Sequence, residues 1–133
     1  MLEQMKKIVD ELKATGKHIA IGFCITGAED IHAVHLWAFT DNPEDPEQPI
    51  VVRDEELDFT IEEFVETLGE ITDETFDCKV EPWIHWLWTF FRGYGIEHDV
   101  TVKELQKVLK HALEDHDWSL NTEFGVGIRM EVN

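Results

Sequence analysis

The 133-residue sequence predicts an α+β fold: a small antiparallel sheet of three to four strands packed by about four helices, in the order α-β-β-(β)-α-α-α-β. Three observations carry that prediction. Apolar residues recur at helical spacing near the N-terminus and again behind two Thr-led capping sequences. Residues 18–40 read as one long apolar hairpin. Residues 124–132 alternate strictly between apolar and other side chains. A chain of this length is expected to form a single globular domain, 1–133, with a substantial core.

Leu2, Met5, Ile8, Val9 and Leu12 define a helix over about 2–15, with Gly16 as its stop signal. The hairpin follows, turning near Gly27-Ala28-Glu29-Asp30. Folded there, Ile19, Ile21, Phe23 and Ile25 lie beside Ala38, Leu36, Val34 and His32. The other face sets His18, Ala20, Gly22 and Cys24 against Phe39, Trp37, His35 and Ala33. Neither face is strongly polar, so the hairpin is expected to be central and covered on both sides. Residues 41–49 contain Pro43, Pro46 and Pro49 and form an exposed acidic loop. Ile50-Val51-Val52 then reads as a short edge strand.

Thr60-Ile61-Glu62-Glu63 is a capping box, with Phe59 and Phe64 placed as a hydrophobic staple. The helix it opens is expected to bury Ile61, Phe64, Val65, Leu68 and Ile71, and Gly69 can end it early. Glu62, Glu66, Glu70 and Asp73 form its outer stripe. Pro82 suits the first turn of a further helix through the aromatic run 83–91. Thr101-Val102-Lys103-Glu104 repeats the capping signature, with Val100 and Leu105 as the staple, and starts a helix to about Glu114. The two capping sequences are too generic to imply an internal repeat.

The charge is unevenly placed. The chain holds 29 acidic and 11 basic residues, for a formal net charge of -18. Within 41–81, sixteen acids face only Arg53 and Lys79, so that segment nets -14. Self-repulsion of that size opposes compaction. Five Trp and eight Phe nevertheless exclude a disordered acidic tail, because such tails lack aromatics. The composition also opposes direct nucleic-acid binding, which requires a positive footprint. The N-terminus lacks a signal-peptide core and no window reaches a membrane-spanning length, so a cytoplasmic location without membrane association is expected. Two cysteines, Cys24 and Cys78, provide no disulfide framework.

Catalytic and metal motifs are weak. EF-hand registers ending at Glu63 or Glu104 place Leu57 or a misplaced Gly pair where the loop chemistry forbids them. A calcium-type site within Asp54-Glu55-Glu56-Leu57-Asp58 has no specific pattern. His32 and His35 point to opposite faces of a strand, and His111 and His116 are five apart, so zinc is not supported. Cys24 lies among small residues, as a buried inert thiol does. No Gly-x-Ser-x-Gly or phosphate-cradling Gly loop is present. No catalytic residue, metal ligand or cofactor is therefore assigned, and a non-enzyme is expected.

Carboxylates one helical turn apart destabilise their own helix by a few tenths of a kcal/mol per pair. In charge density they resemble a phosphate track, so they can occupy a basic groove built for DNA or RNA. The sequence thus points to an acidic inhibitor or immunity-type protein that blocks a basic site on a nucleic-acid-handling enzyme such as a nuclease. A phage anti-CRISPR or anti-restriction protein, or a nuclease-toxin immunity protein, has this character. The partner-binding residues expected are Asp41, Glu44, Asp45, Glu47, Asp54, Glu55, Glu56, Asp58, Glu62, Glu63, Glu66, Glu70, Asp73 and Glu74, with Trp83 and Trp86 as aromatic anchors. The plain alternative for the 83–91 run is a core helix. A rival function is a small-ligand pocket or enzyme site between the hairpin and that run, lined by His35, Trp37 and His85. A third reading treats the acidity as halophilic adaptation.

Overall fold

The computed structural model describes residues 1–28, 31–84, 101–114 and 124–133. Among these, five antiparallel strands form one sheet and four helices pack on it. The strands are β1 (Ile19–Ala28), β2 (Ile31–Thr40), β3 (Ile50–Leu57), β4 (Val80–Ile84) and β5 (Phe124–Val132), and the helices are α1 (Leu2–Lys13), α2 (Ile61–Leu68), α3 (Asp73–Phe76) and α4 (Val102–Glu114). The spatial order is β3-β2-β1-β5-β4, so the apolar hairpin and the C-terminal strand occupy the middle.

One face of the sheet carries Ile19, Ile21, Phe23, Ile25, Val34, Leu36, Ala38, Val126, Ile128, Met130 and Val132, all buried. Every described helix contributes to the same apolar cluster: Met5, Ile8, Val9 and Leu12 from α1, Phe64, Val65 and Leu68 from α2, Phe76 from α3, and Leu105, Val108 and Leu109 from α4. Phe23 stacks on Phe76 with ring centroids 6.4 Å apart. The described helices all pack on this face. On the other face His35, Trp37 and Phe39 are half-buried.

The hairpin faces were assigned correctly by alternation, but the register differs by two residues. Ile21 pairs with Ala38 and Phe23 with Leu36, whereas the sequence reading set Ile19 and Ile21 opposite those residues. The strands reach Ala28 and Ile31, leaving only residues 29–30 between them instead of a four-residue turn. A two-residue slip preserves which side chains share a face, because the strand period is two.

Helix starts follow the capping chemistry. Thr60 Oγ1 accepts the Glu63 N–H at 3.1 Å, and Thr101 Oγ1 accepts the Glu104 N–H at 3.1 Å. At the end of α1, Gly16 takes φ +71°, a conformation that L side chains disfavour. Three sequence expectations need correction. The edge strand β3 runs on to Leu57, because alternation through Arg53-Asp54-Glu55-Glu56 continues the ladder with β2. Helix α2 stops at Leu68, capped by Gly69, so Glu70 and Asp73 do not extend its stripe; a separate short helix, α3, follows. Pro82 and Trp83 lie in β4, the other edge strand, not in a helix, so among the described residues the sheet has five strands rather than the three to four expected. An edge position tolerates the proline that cannot donate to a ladder. The rest of the proposed aromatic helix, 85–91, falls outside the described residues. None of the described helices is long and apolar enough to cross a membrane.

Candidate functional site

The acidic run begins at the β3 edge of the sheet, with loop 41–49 and β3 itself, and ends at the other edge, where Asp73 bonds β4 and Glu81 lies in it. Loop 41–49 leads into β3, the outermost strand, and α2 packs against β2 next to it. Among the fourteen carboxylates expected to bind a partner, only Asp45 and Glu55 are half-buried and the rest are exposed. Several have jobs inside the fold. Asp45 Oδ1 accepts the Glu47 N–H at 3.0 Å, and Asp73 Oδ1 accepts the Val80 N–H at 2.9 Å. Glu55 pairs with Arg53 at 3.1 Å, and Arg53 also reaches Glu11 on α1 at 3.1 Å. Glu66 pairs with Lys110 on α4 at 3.5 Å. Asp73 and Glu74 belong to α3, which packs against α1.

Glu44, Glu47, Glu56, Asp58, Glu62, Glu63 and Glu70 are exposed, and no ion pair to a described Lys, Arg or His engages them. Their negative charge faces solvent. Beside them, Ile50, Val51 and Val52 at the start of β3 are 46%, 53% and 40% exposed. A groove of about 290 Å³ runs between α1 and β3, bordered by Lys7, Glu11, Arg53, Glu55, Glu56 and Asp58.

The face of the sheet on which no described helix packs carries the aromatic side chains of His35, Trp37 and Trp83. Asp54, on β3, accepts the Trp37 indole N–H at 3.0 Å and also pairs with His35 Nε2. His35 and Trp37 rings lie 4.7 Å apart, and Trp37 meets Trp83 edge-to-face at 5.7 Å. Trp83 therefore does approach the acidic edge, although from the opposite side of the sheet and through Trp37. It lies across Gly22, where a Cβ would collide with its ring. Trp86 and His85 lie outside the described residues.

Next to Trp83 is an open cavity of about 240 Å³ over Ala20 and Gly22, walled by Phe39 and Trp83 and rimmed by His18, Asp41, Arg129 and Glu131. It is a neighbour of the predicted ligand site rather than the same one: His35 and Trp37 do not line it. His18 bonds Asp41 at 3.0 Å and lies 3.8 Å from Glu131. The Asp41 hydrogen bond and charge, helped by Glu131, raise the His18 pKa above its ordinary 6.5. A raised folded-state pKa contributes stability below about pH 6.5, and that contribution is lost as pH rises through the folded value. Asp41→Asn is expected to return the His18 titration toward 6.5, read by imidazole NMR; an unmoved titration would refute the pairing.

Cys24, His35 and Asp54 occupy one corner of three adjacent strands on this face, the residue types of a nucleophile, base and orienting acid. The chemistry does not follow. Cys24 is 1% exposed and burial pushes its thiol up to about 12, the opposite of an activated thiolate. Among the described residues, no three His, Cys, Asp or Glu side chains converge as a metal-binding group.

Sequence reasoning missed the contacts of Asp54 with His35 and Trp37, and the role of His18. The signal was present: residues 35, 37 and 54 become neighbours as soon as β3 extends past Val52, since Trp37 pairs with Asp54. Comparison with known proteins supplies no family: no family model, no curated protein and no solved structure matches this chain.

Proposed function

We propose that this protein is a non-enzymatic acidic inhibitor or immunity-type protein that blocks a basic site on a nucleic-acid-handling enzyme, acting in the cytoplasm. One observation carries the reading: a set of exposed carboxylates without basic partners among the described residues lies on loop 41–49, on and just after β3, and on and just after α2 of a folded domain. Free carboxylates on a fixed scaffold create a negative field that steers a basic surface into contact. Their fixed positions also avoid the ordering entropy that a disordered acidic tail loses on binding. A net charge of -18 repels phosphate, so the partner is a protein surface built to hold nucleic acid, not nucleic acid itself.

Capture from a bacterial lysate on the immobilised protein, with stepwise salt elution, tests this. A nucleic-acid-binding enzyme is expected to be retained at low salt, to lose affinity as salt rises, and to lose activity on its DNA or RNA when bound. An affinity that is flat in salt would defeat the electrostatic mechanism.

The cavity over Ala20 and Gly22 supports a second reading, a small-ligand site with the acidity serving solubility. That reading predicts a thermal shift with a metabolite, nucleotide or metal, because a ligand for the folded state stabilises it by mass action.

A further inference from the structure

We infer that the outer edge of β3 accepts an extended basic segment of the partner as a sixth strand of the sheet. This rests on the acidic-surface reading above and specifies how contact is made. Among the described residues β3 ends the sheet on its side, so half of its backbone N–H and C=O groups point away from β2. Its first half is apolar and exposed: Ile50, Val51 and Val52 are the large hydrophobic residues left open to solvent among those described. Its second half presents Asp54 and Glu56 on one face and Arg53 and Glu55 on the other.

Edges of this kind invite another strand unless something blunts them. Two blunting devices are present, Pro49 at the entry and a bulge between the partners of Ala38 and Phe39 that leaves Val52 as the extra residue. The strand past the bulge is regular from Arg53 to Leu57. There the remaining barrier is charge. Arg53, Asp54, Glu55 and Glu56 together carry -2, and the preceding loop adds Asp41, Glu44, Asp45 and Glu47. A second copy of the chain brings the same charge and is repelled. A segment with lysine or arginine at alternate positions is attracted, and apolar residues at its other end cover Ile50–Val52. In this recognition mode main-chain hydrogen bonds supply affinity and alternate side chains supply specificity.

The probe is a short synthetic peptide of alternating lysine and valine, compared with two versions N-methylated on alternate backbone nitrogens. Binding is expected to slow amide exchange along 50–57. One N-methylated version is expected to bind about tenfold more weakly, because it loses the ladder bonds. Val51→Lys with Val52→Lys, both at exposed positions, is expected to weaken the unmodified peptide as well. Equal, salt-sensitive binding of all three peptides with no protection of β3 would overturn strand addition while leaving the acidic-surface reading intact. No binding by any peptide would overturn strand addition too, and lysate capture then judges the surface reading separately. A stable dimer of the protein alone, protected along β3, would show that the edge belongs to a second copy.

Discussion

Gly127→Ala is expected to destabilise the protein by about 3 kcal/mol or more, enough to unfold a domain of marginal stability. Gly127 sits in β5 between Cys24 of β1 and Trp83 of β4. A Cβ built there would fall on the Phe23 carbonyl oxygen and against the Cys24 Cα. Those atoms are backbone in the central strand, so relief means moving β1 against the buried Phe23 and Ile25 rather than rotating a side chain. The same row places Trp83 across the sheet, so the aromatic face shifts as well. In urea, with a slope of about 1–3 kcal/mol per M, the midpoint should fall by at least about 1 M. Gly16→Ala provides the contrast. Gly16 has a positive φ but open space around its missing Cβ, so about 1 kcal/mol of backbone strain is expected. A Gly127→Ala protein as stable as the Gly16→Ala one would mean that β1 and β5 are not this close.

The parts of the fold legible from sequence were those set by local chemistry. Thr60 and Thr101 begin helices because a hydroxyl satisfies a free backbone N–H, whatever surrounds it. The faces of β1 and β2 follow from alternation alone. Register and the fate of 80–84 depend on partners distant in sequence. Pro82 suits a first helical turn and an edge strand equally well; pairing of Val80 with Met130 and Trp83 with Gly127 decides between them. The candidate surface was legible as composition and only partly as geometry. Counting carboxylates could not reveal that Asp45 and Asp73 hold backbone N–H groups, or that Asp54 is engaged by His35 and Trp37. Subtracting such residues changes which acids are worth mutating. The outer stripe of Glu62, Glu66, Glu70 and Asp73 includes Glu66, already paired with Lys110, and Asp73, which holds the Val80 N–H.

Replacing Glu47, Glu56, Glu62 and Glu70 together by Lys should weaken binding of the captured basic partner by about a hundredfold or more at physiological salt, since opposed like charges across an interface cost several kcal/mol. Each replacement changes the charge by two, so the formal net charge moves from -18 to -10. All four side chains are exposed and none is in a described ion pair, so folding has little to lose. Reduced self-repulsion can even raise the urea midpoint slightly. The binding loss should shrink as salt rises, because exposed charges are screened over roughly 10 Å at 0.1 M. The matching Gln set removes attraction without adding repulsion, so its loss should be smaller and in the same direction. This pair of variants also separates interface from halophilic adaptation. If the acidity serves only to keep the protein folded and hydrated in salt, the parent unfolds at low salt, the Lys set is more stable there, and partner affinity does not change. If it is an interface, affinity collapses while the near-ultraviolet circular dichroism of the tryptophans stays that of the parent.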